Sequence, residues 1–230
     1  MQHVQPQRQD IKYQDVLFIQ FARAPVAGQV KTRLIPALGA HGACQLHCVL
    51  VTQVLNQLLA TQLATTVLYS DDPHATALRQ VCEPVFARHG QQAMLFAQRG
   101  AQLGERMANA ISDQLEAADS LIEKVILVGS DCVGLDRDYL WQAIAALDKG
   151  SDVVLGPAED GGYVLIGMSR FYPALFEGID WGSDQVLAQS LAVVEREGLS
   201  ATQLAVRADI DRAEDLSILS EYGIDISSLN

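Results

Sequence analysis

Apolar positions along this chain fall into two rhythms. Val16-Leu17-Phe18-Ile19-Gln20-Phe21 and Val125-Ile126-Leu127-Val128 are apolar at almost every step, the pattern of central strands covered on both faces of a parallel sheet. Thr65 to Tyr69, Ala93 to Phe96 and Thr202 to Val206 read as further strands. From Gly42 to about Ala60, Leu46, Val49, Leu50, Val54 and Leu58 recur at helical spacing, predicting a packing helix. Other helices are expected from Pro73, as first helical residue after Asp72, to about Arg88, from the 98–107 loop to about Leu115, and from about Asp138 to Leu147. A last helix is expected from about Asp184 to Glu197, with Ser183 as its cap. The stretch 152–167 departs from this alternation. Two apolar strands flank a tight acidic turn there, which reads as a hairpin or sharp reversal. Strands alternating with helices predict an α/β domain over 16–230, preceded by a polar, Gln-rich, flexible extension over 1–15.

Composition narrows the function classes. With 230 residues and 49% hydrophobic residues the chain can bury a sizeable core. The net charge of -12 leaves no basic stripe for a nucleic acid. No uninterrupted apolar run reaches the roughly 18–20 residues of a membrane span, and the polar start lacks a signal-peptide core. No membrane partner and a cytoplasmic location are therefore expected, with monomer and homodimer both open. Cys44, Cys48, Cys82 and Cys132 contain no C-x-x-C pair, and Cys44 and Cys48, four apart on one helical face, read as small buried hydrophobes.

Candidate chemistry gathers at strand ends. The run 125–128 stops at Gly129-Ser130-Asp131, and ligands of open α/β sheets sit at the carboxyl ends of strands. Asp131 there can hold a divalent cation that in turn holds a diphosphate; equally, it can cap the helix starting near Asp136. The first strand runs into a loop with Pro25 and Gly28, where Arg23, Lys31 and Arg33 supply three of the 16 basic residues. Such a loop suits a pyrophosphate, although it is neither a P-loop nor G-x-G-x-x-G, and a solvated basic loop is the plainer alternative. Gly100, Gly104 and Arg106 mark a second glycine-bearing loop, and Glu159-Asp160-Gly161-Gly162 offers paired carboxylates with room for backbone to crowd a ligand. Trp181 either covers a substrate face or fills the core. His47 reads as a satisfied or exposed helical residue. Asp211 with Glu214 makes a carboxylate capping box, with a metal-ligand role as the alternative.

Five segments together carry a family resemblance: Phe21-Ala22-Arg23-Ala24-Pro25-x-x-Gly28-x-x-Lys31-Thr32-Arg33-Leu34, Leu103-Gly104-Glu105-Arg106, Gly129-Ser130-Asp131-Cys132, the stretch from Gly156 to Gly167, and Asp209-Ile210-Asp211. They resemble the bacterial arsenosugar-biosynthesis-type glycosyltransferase, or selenodomain-associated transferase, family of the nucleotide-diphospho-sugar transferase superfamily. The resemblance implies a Rossmann-like three-layer α/β/α sandwich of the glycosyltransferase-A type, its mostly parallel sheet carrying one antiparallel strand near the site. It also implies that Arg23, Gly28, Lys31, Thr32 and Arg33 bind nucleotide phosphates and that Gly104 and Arg106 line the nucleotide pocket; Ser130, Glu159, Gly161, Gly162 and Trp181, by their places at strand ends and turns, are the candidates for bordering the substrate. Asp131, Asp160 and Asp211 would hold Mg2+ or Mn2+, with Asp160 acting on the acceptor. Three positions depart from the family pattern: Arg23 stands where Lys is usual, Val133-Gly134 where Pro follows the cysteine, and Gly182-Ser183 where Ser-Thr follows the tryptophan. The implied activity is metal-dependent transfer of a sugar from a nucleotide-diphosphate sugar to a small acceptor. Two alternatives stay open: nucleotidyl transfer from a nucleoside triphosphate with release of pyrophosphate, and nucleotide binding without catalysis.

Overall fold

In the computed structural model, which describes residues 11–226 except 73 and 119, every strand belongs to one sheet. In chain order the elements are β1 Val16–Ala22, α1 Ile35–Thr61, β2 Thr65–Ser70, α2 Thr76–Arg88, β3 Leu95–Ala97, α3 Leu103–Leu115, β4 Lys124–Val128, α4 Arg137–Asp148, β5 Val153–Pro157, β6 Tyr163–Met168, α5 Val186–Arg196 and β7 Ala201–Gln203. The spatial order is β3-β2-β1-β4-β6-β5-β7. All neighbours are parallel except β6, which runs antiparallel to both β4 and β5. The expected sandwich, mostly parallel with one reversed strand, is the fold observed.

The continuous apolar runs are explained by burial on both faces. Every residue of β1 is buried. Because side chains alternate along a strand, Val16 and Phe18 pack with Val54 and Leu58 of α1 and Leu140 and Ile144 of α4. Leu17, Ile19 and Phe21 pack on the opposite face with Met107 and Ile111 of α3 and Val193 and Val194 of α5. Helix α2 covers the first face farther out, setting Leu78, Cys82 and Phe86 against Val51 and Leu55.

Boundaries shift from the apolar periodicity wherever backbone conformation decides them. Helix α1 joins two helices across a kink: a turn from Ile35 reaches the non-helical Gly39 (φ 71°, ψ 166°), and the long helix follows it, close to the expected start near Gly42. Its length and composition would suffice to cross a membrane, but Leu46, Leu50, Val54, Leu55 and Leu58 are fully buried in this fold. Helix α2 follows a left-handed Ala75, and the Asp72 carboxylate accepts from the amides of His74 (3.0 Å) and Thr76 (3.2 Å). Pro73, expected to open this helix, lies outside the described residues. Helix α5 begins at Val186, because Ser183 Oγ accepts from Gln185 N (3.2 Å) in a turn that precedes it. Strand β7 is three residues, ending at Gln203. Near the N-terminus, residues 11–15 are tied down: Lys12 N donates to Gln62 O at 3.0 Å and Tyr13 N to Leu63 O at 2.8 Å.

Candidate active site

The reversed strand assembles the site. Since β6 runs against β4, pairing Val128 with Leu165, the start of β6 meets the end of β4, and Gly129 N donates to Val164 O at 3.2 Å. The turn between β5 and β6 therefore lies beside the loop that carries Asp131. The two loops, Trp181 to Ser183 and the first turns of α3 and α5 enclose a pocket of about 200 Å3 lined by Asp131, Asp160, Asp209, Tyr163, Trp181 and Met107, among others. Three carboxylates and two aromatic rings stand in a wall otherwise made largely of small and aliphatic residues. The Tyr163 and Trp181 rings meet edge to face at 6.2 Å.

Asp131 does not cap α4, because Asp136 does so, accepting from Tyr139 N at 2.8 Å. The Asp131 carboxylate instead meets Lys31 Nζ at 2.9 Å. Lys31 has left-handed backbone (φ 47°, ψ 42°) and a side chain only 4% exposed. Its ammonium also donates to the Ile210 carbonyl and lies 3.9 Å from Asp211 Oδ1. The segment that supplies these acceptors is strapped to the β4 loop through Ile210 N and Asp131 O, 3.0 Å apart. Arg33 pairs with Asp211 and feels Asp160 and Asp209 as well, which together raise its already high pKa.

Asp209 escaped the sequence reading. Burial, aided by the charges of Asp160 and Asp131, pushes its carboxyl up to about 6. The available signal was the alternation about fully buried Ile210, which turns Asp209 and Asp211 to the side opposite the core. The capping box expected of Asp211 and Glu214 is formed otherwise: Asp215 accepts from Asp211 N (2.8 Å) and Arg212 N (2.6 Å), leaving the Asp211 carboxylate to the two cations.

Other predicted site residues are placed as follows. Arg23 is 63% exposed, its Nε 3.5 Å from Asp71; its carbonyl accepts from His47 Nε2 at 2.9 Å. His47 is buried as a satisfied residue, and burial lowers its pKa. Gly28 (φ 81°) faces open space, and Thr32 is exposed in the single 3-10 turn that carries Arg33. Ser130 is buried, donating to Phe21 O (2.7 Å) and accepting from Gln20 Nε2 (2.9 Å), so its hydroxyl ties strands rather than facing the pocket. Gly104 leaves space for protein, since a Cβ there would lie 2.3 Å from Trp181 Nε1. Gly161 (φ 87°) likewise accommodates the Asp184 carbonyl, 2.2 Å from where its Cβ would be. Gly162 N donates to Asp160 Oδ1 at 2.9 Å, fixing that carboxylate at the pocket wall. Glu159 is exposed and Arg106 donates to Gly100 O at 3.0 Å; neither lines the pocket.

The Mg2+ or Mn2+ ion implied for Asp131, Asp160 and Asp211 does not find a ready ligand set. Among the described residues no three carboxylate, imidazole or thiol groups converge on a common point. Asp131 and Asp211 are turned toward Lys31 and Arg33.

Residues 54–183 match a family model described as uncharacterized protein conserved in bacteria (DUF2064). No curated protein matches the sequence. A crystal structure of a protein from Desulfovibrio desulfuricans G20, provisionally assigned as a nucleotide-diphospho-sugar transferase, is similar over 93% of this chain and 89% of that one, with 30% identity and a TM-score of 0.79. Fold-level likeness extends to 4-diphosphocytidyl-2C-methyl-D-erythritol synthase from Anaerococcus prevotii DSM 20548 (12% identity, 91% and 96% covered, TM-score 0.57). It extends also to CMP:2-keto-3-deoxy-manno-octonic acid synthetase complexed with CTP (9% identity, 91% and 98% covered, TM-score 0.55).

Proposed function

The chain belongs to the DUF2064 family of proteins conserved in bacteria, and we propose that it is a transferase that binds a nucleotide-diphosphate sugar and passes the sugar to a small acceptor. One observation carries the reading: a pocket of about 200 Å3, walled by carboxylates and two aromatic rings, opens at the carboxyl ends of the strands, beside a loop whose Arg23 and Arg33 are 63% and 58% exposed. Pockets for drug-sized ligands span about 300–1,000 Å3. This one therefore suits a sugar or acceptor, with the nucleotide lying outside along the basic loop.

In this scheme Arg23 and Arg33 neutralise the leaving diphosphate, where guanidinium groups pair phosphate oxygens bidentately. The Tyr163 and Trp181 rings cover a sugar face. Asp160, oriented by Gly162 N, positions the acceptor hydroxyl or takes its proton.

A thermal-shift panel of nucleoside diphosphates, triphosphates and nucleotide sugars, each in EDTA and in Mg2+ or Mn2+, tests the reading. Ligand at a hundredfold excess over Kd stabilises by about 2.7 kcal/mol, about 5–10 °C for a chain of this size. A rise with sugar nucleotides is the expected result. A rise confined to triphosphates, with pyrophosphate released on turnover, would replace sugar transfer by nucleotidyl transfer. Binding of sugar nucleotides without turnover across acceptors would leave a noncatalytic binding protein.

A further inference from the structure

We propose that the ammonium of Lys31 is itself the cation of this site, standing where a divalent ion would engage Asp131, so that the protein binds no divalent ion at Asp131 and takes a diphosphate without one. The second half of the inference rests on the nucleotide-binding reading above; the first half does not.

Three observations point the same way. Among the basic residues of its loop Lys31 alone is turned inward: its side chain is 4% exposed, against 63% for Arg23 and 58% for Arg33. The ammonium is matched to what surrounds it. Two of its three protons go to Asp131 Oδ1 at 2.9 Å and the Ile210 carbonyl, and Asp211 Oδ1, at 3.9 Å, adds charge attraction without a hydrogen bond. The backbone is committed as well, because left-handed φ at a residue with a Cβ (φ 47°) persists only where the surroundings hold it.

A divalent ion sits about 2.0–2.6 Å from a ligating carboxylate oxygen. On the edge of Asp131 that faces Lys31 it would enter space the ammonium fills and meet a like charge there. Nor does the chain offer a preformed ion site elsewhere, since no three potential ligands converge among the described residues. Lysine delivers one positive charge without dehydrating a metal and holds the β1 loop, the β4 loop and the segment 209–211 together at one point. Arg23 and Arg33, exposed although paired with Asp71 and Asp211, are the cations of the loop that a phosphate can reach.

Electron paramagnetic resonance of Mn2+ decides the first half. The chain titrated with Mn2+ should leave the free-ion signal undiminished. Lys31→Met should bind Mn2+ at least tenfold more tightly, and adding Asp131→Asn should remove the gain. Uptake of one Mn2+ per parent chain that disappears in Asp131→Asn overturns the proposal, as does a folded Lys31→Met chain that binds no more Mn2+ than the parent. Should circular dichroism show Lys31→Met unfolded, the parent and Asp131→Asn titrations still decide. For the second half, the Kd values of ADP, GDP, CDP and UDP are measured in EDTA and in Mg2+. Binding of one of them that changes less than twofold supports the proposal; a tenfold tightening by Mg2+ that Asp131→Asn abolishes overturns it. If none of the four binds, the nucleotide reading falls, and the Mn2+ titration still judges Lys31.

Discussion

Gln20 Nε2 donates to Ser130 Oγ across 2.9 Å, so the end of β4 is fastened to β1 directly beneath the loop that carries Asp131. The same amide group donates to Val51 O at 3.0 Å, extending the link to α1. Gln20 is fully buried; its amide nitrogen is bonded twice, while its Oε1 has no hydrogen-bond partner among the described residues. Gln20→Ala should remove both bonds and leave a void, costing about 2–4 kcal/mol. Urea unfolding of the two chains measures this, and a loss under about 0.5 kcal/mol would mean that the fastening is dispensable.

The acid cluster gives the stability curve a definite sign. Asp209 titrates at about 6 in the folded chain, against 3.8 ordinarily. Between those values the folded state holds the proton more tightly, so the stability from this group is complete below about pH 3.8 and is lost as the pH climbs through 6. Asp209→Asn should remove that loss. Its Tm should exceed the parent's above pH 6 and converge with it near pH 4. Because the group is only half-buried, the full shift is discounted for solvent screening to about 1–2 kcal/mol, or about 2–8 °C. Scanning calorimetry at pH 4 and 7.5 provides the comparison.

His47 acts in the opposite direction. Burial holds its imidazole below the usual 6.5, so the unfolded chain takes up a proton first as the pH falls. Its contribution is present above pH 6.5 and declines below it. In an NMR titration one of the five histidines should titrate below 6.5, and His47→Gln should remove that resonance. An unshifted His47 would contradict its burial in a dry site, since the bond to the Arg23 carbonyl works the other way.

Gly104→Ala tests the aromatic wall. Its Cβ would meet Trp181 Nε1 at 2.3 Å and Phe176 O at 2.7 Å, an overpacking that costs about 1–3 kcal/mol. The side chain that yields should be Trp181, since the other contact is backbone. In a Trp141→Phe background, Trp181 emission should shift to the red; an unchanged spectrum would mean that the wall is fixed by something other than Gly104.

Arg23→Ala should leave stability within about 0.5 kcal/mol, as surface substitutions generally do, while weakening diphosphate binding about tenfold through loss of a charge-assisted pair. Isothermal titration separates the two effects. Unchanged affinity would remove Arg23 from the phosphate site.

The chain announced its central strands because burial on both faces leaves continuous apolar runs, as in 125–128, and the acidic hairpin announced the reversal at 157–163. Site details were less legible because they are settled by distant partners. Lys31 turns inward on account of an acceptor 179 residues away. Ser130 turns down because Gln20 waits on a neighbouring strand. Gly161 reads like a glycine that admits a ligand, yet what it admits is the Asp184 backbone. The kink in α1 and the start of α2 at Thr76 follow backbone angles at Gly39 and Ala75, to which apolar spacing is blind.

The sheet also ends with little to offer. Its outermost strands, Leu95–Ala97 and Ala201–Gln203, are three residues each, and an open row of amides and carbonyls recruits other chains only in proportion to its length. Edge strands this short blunt the row that a seven-stranded sheet would otherwise present. A net charge of -12 adds mutual repulsion between copies to the shortness of those edges.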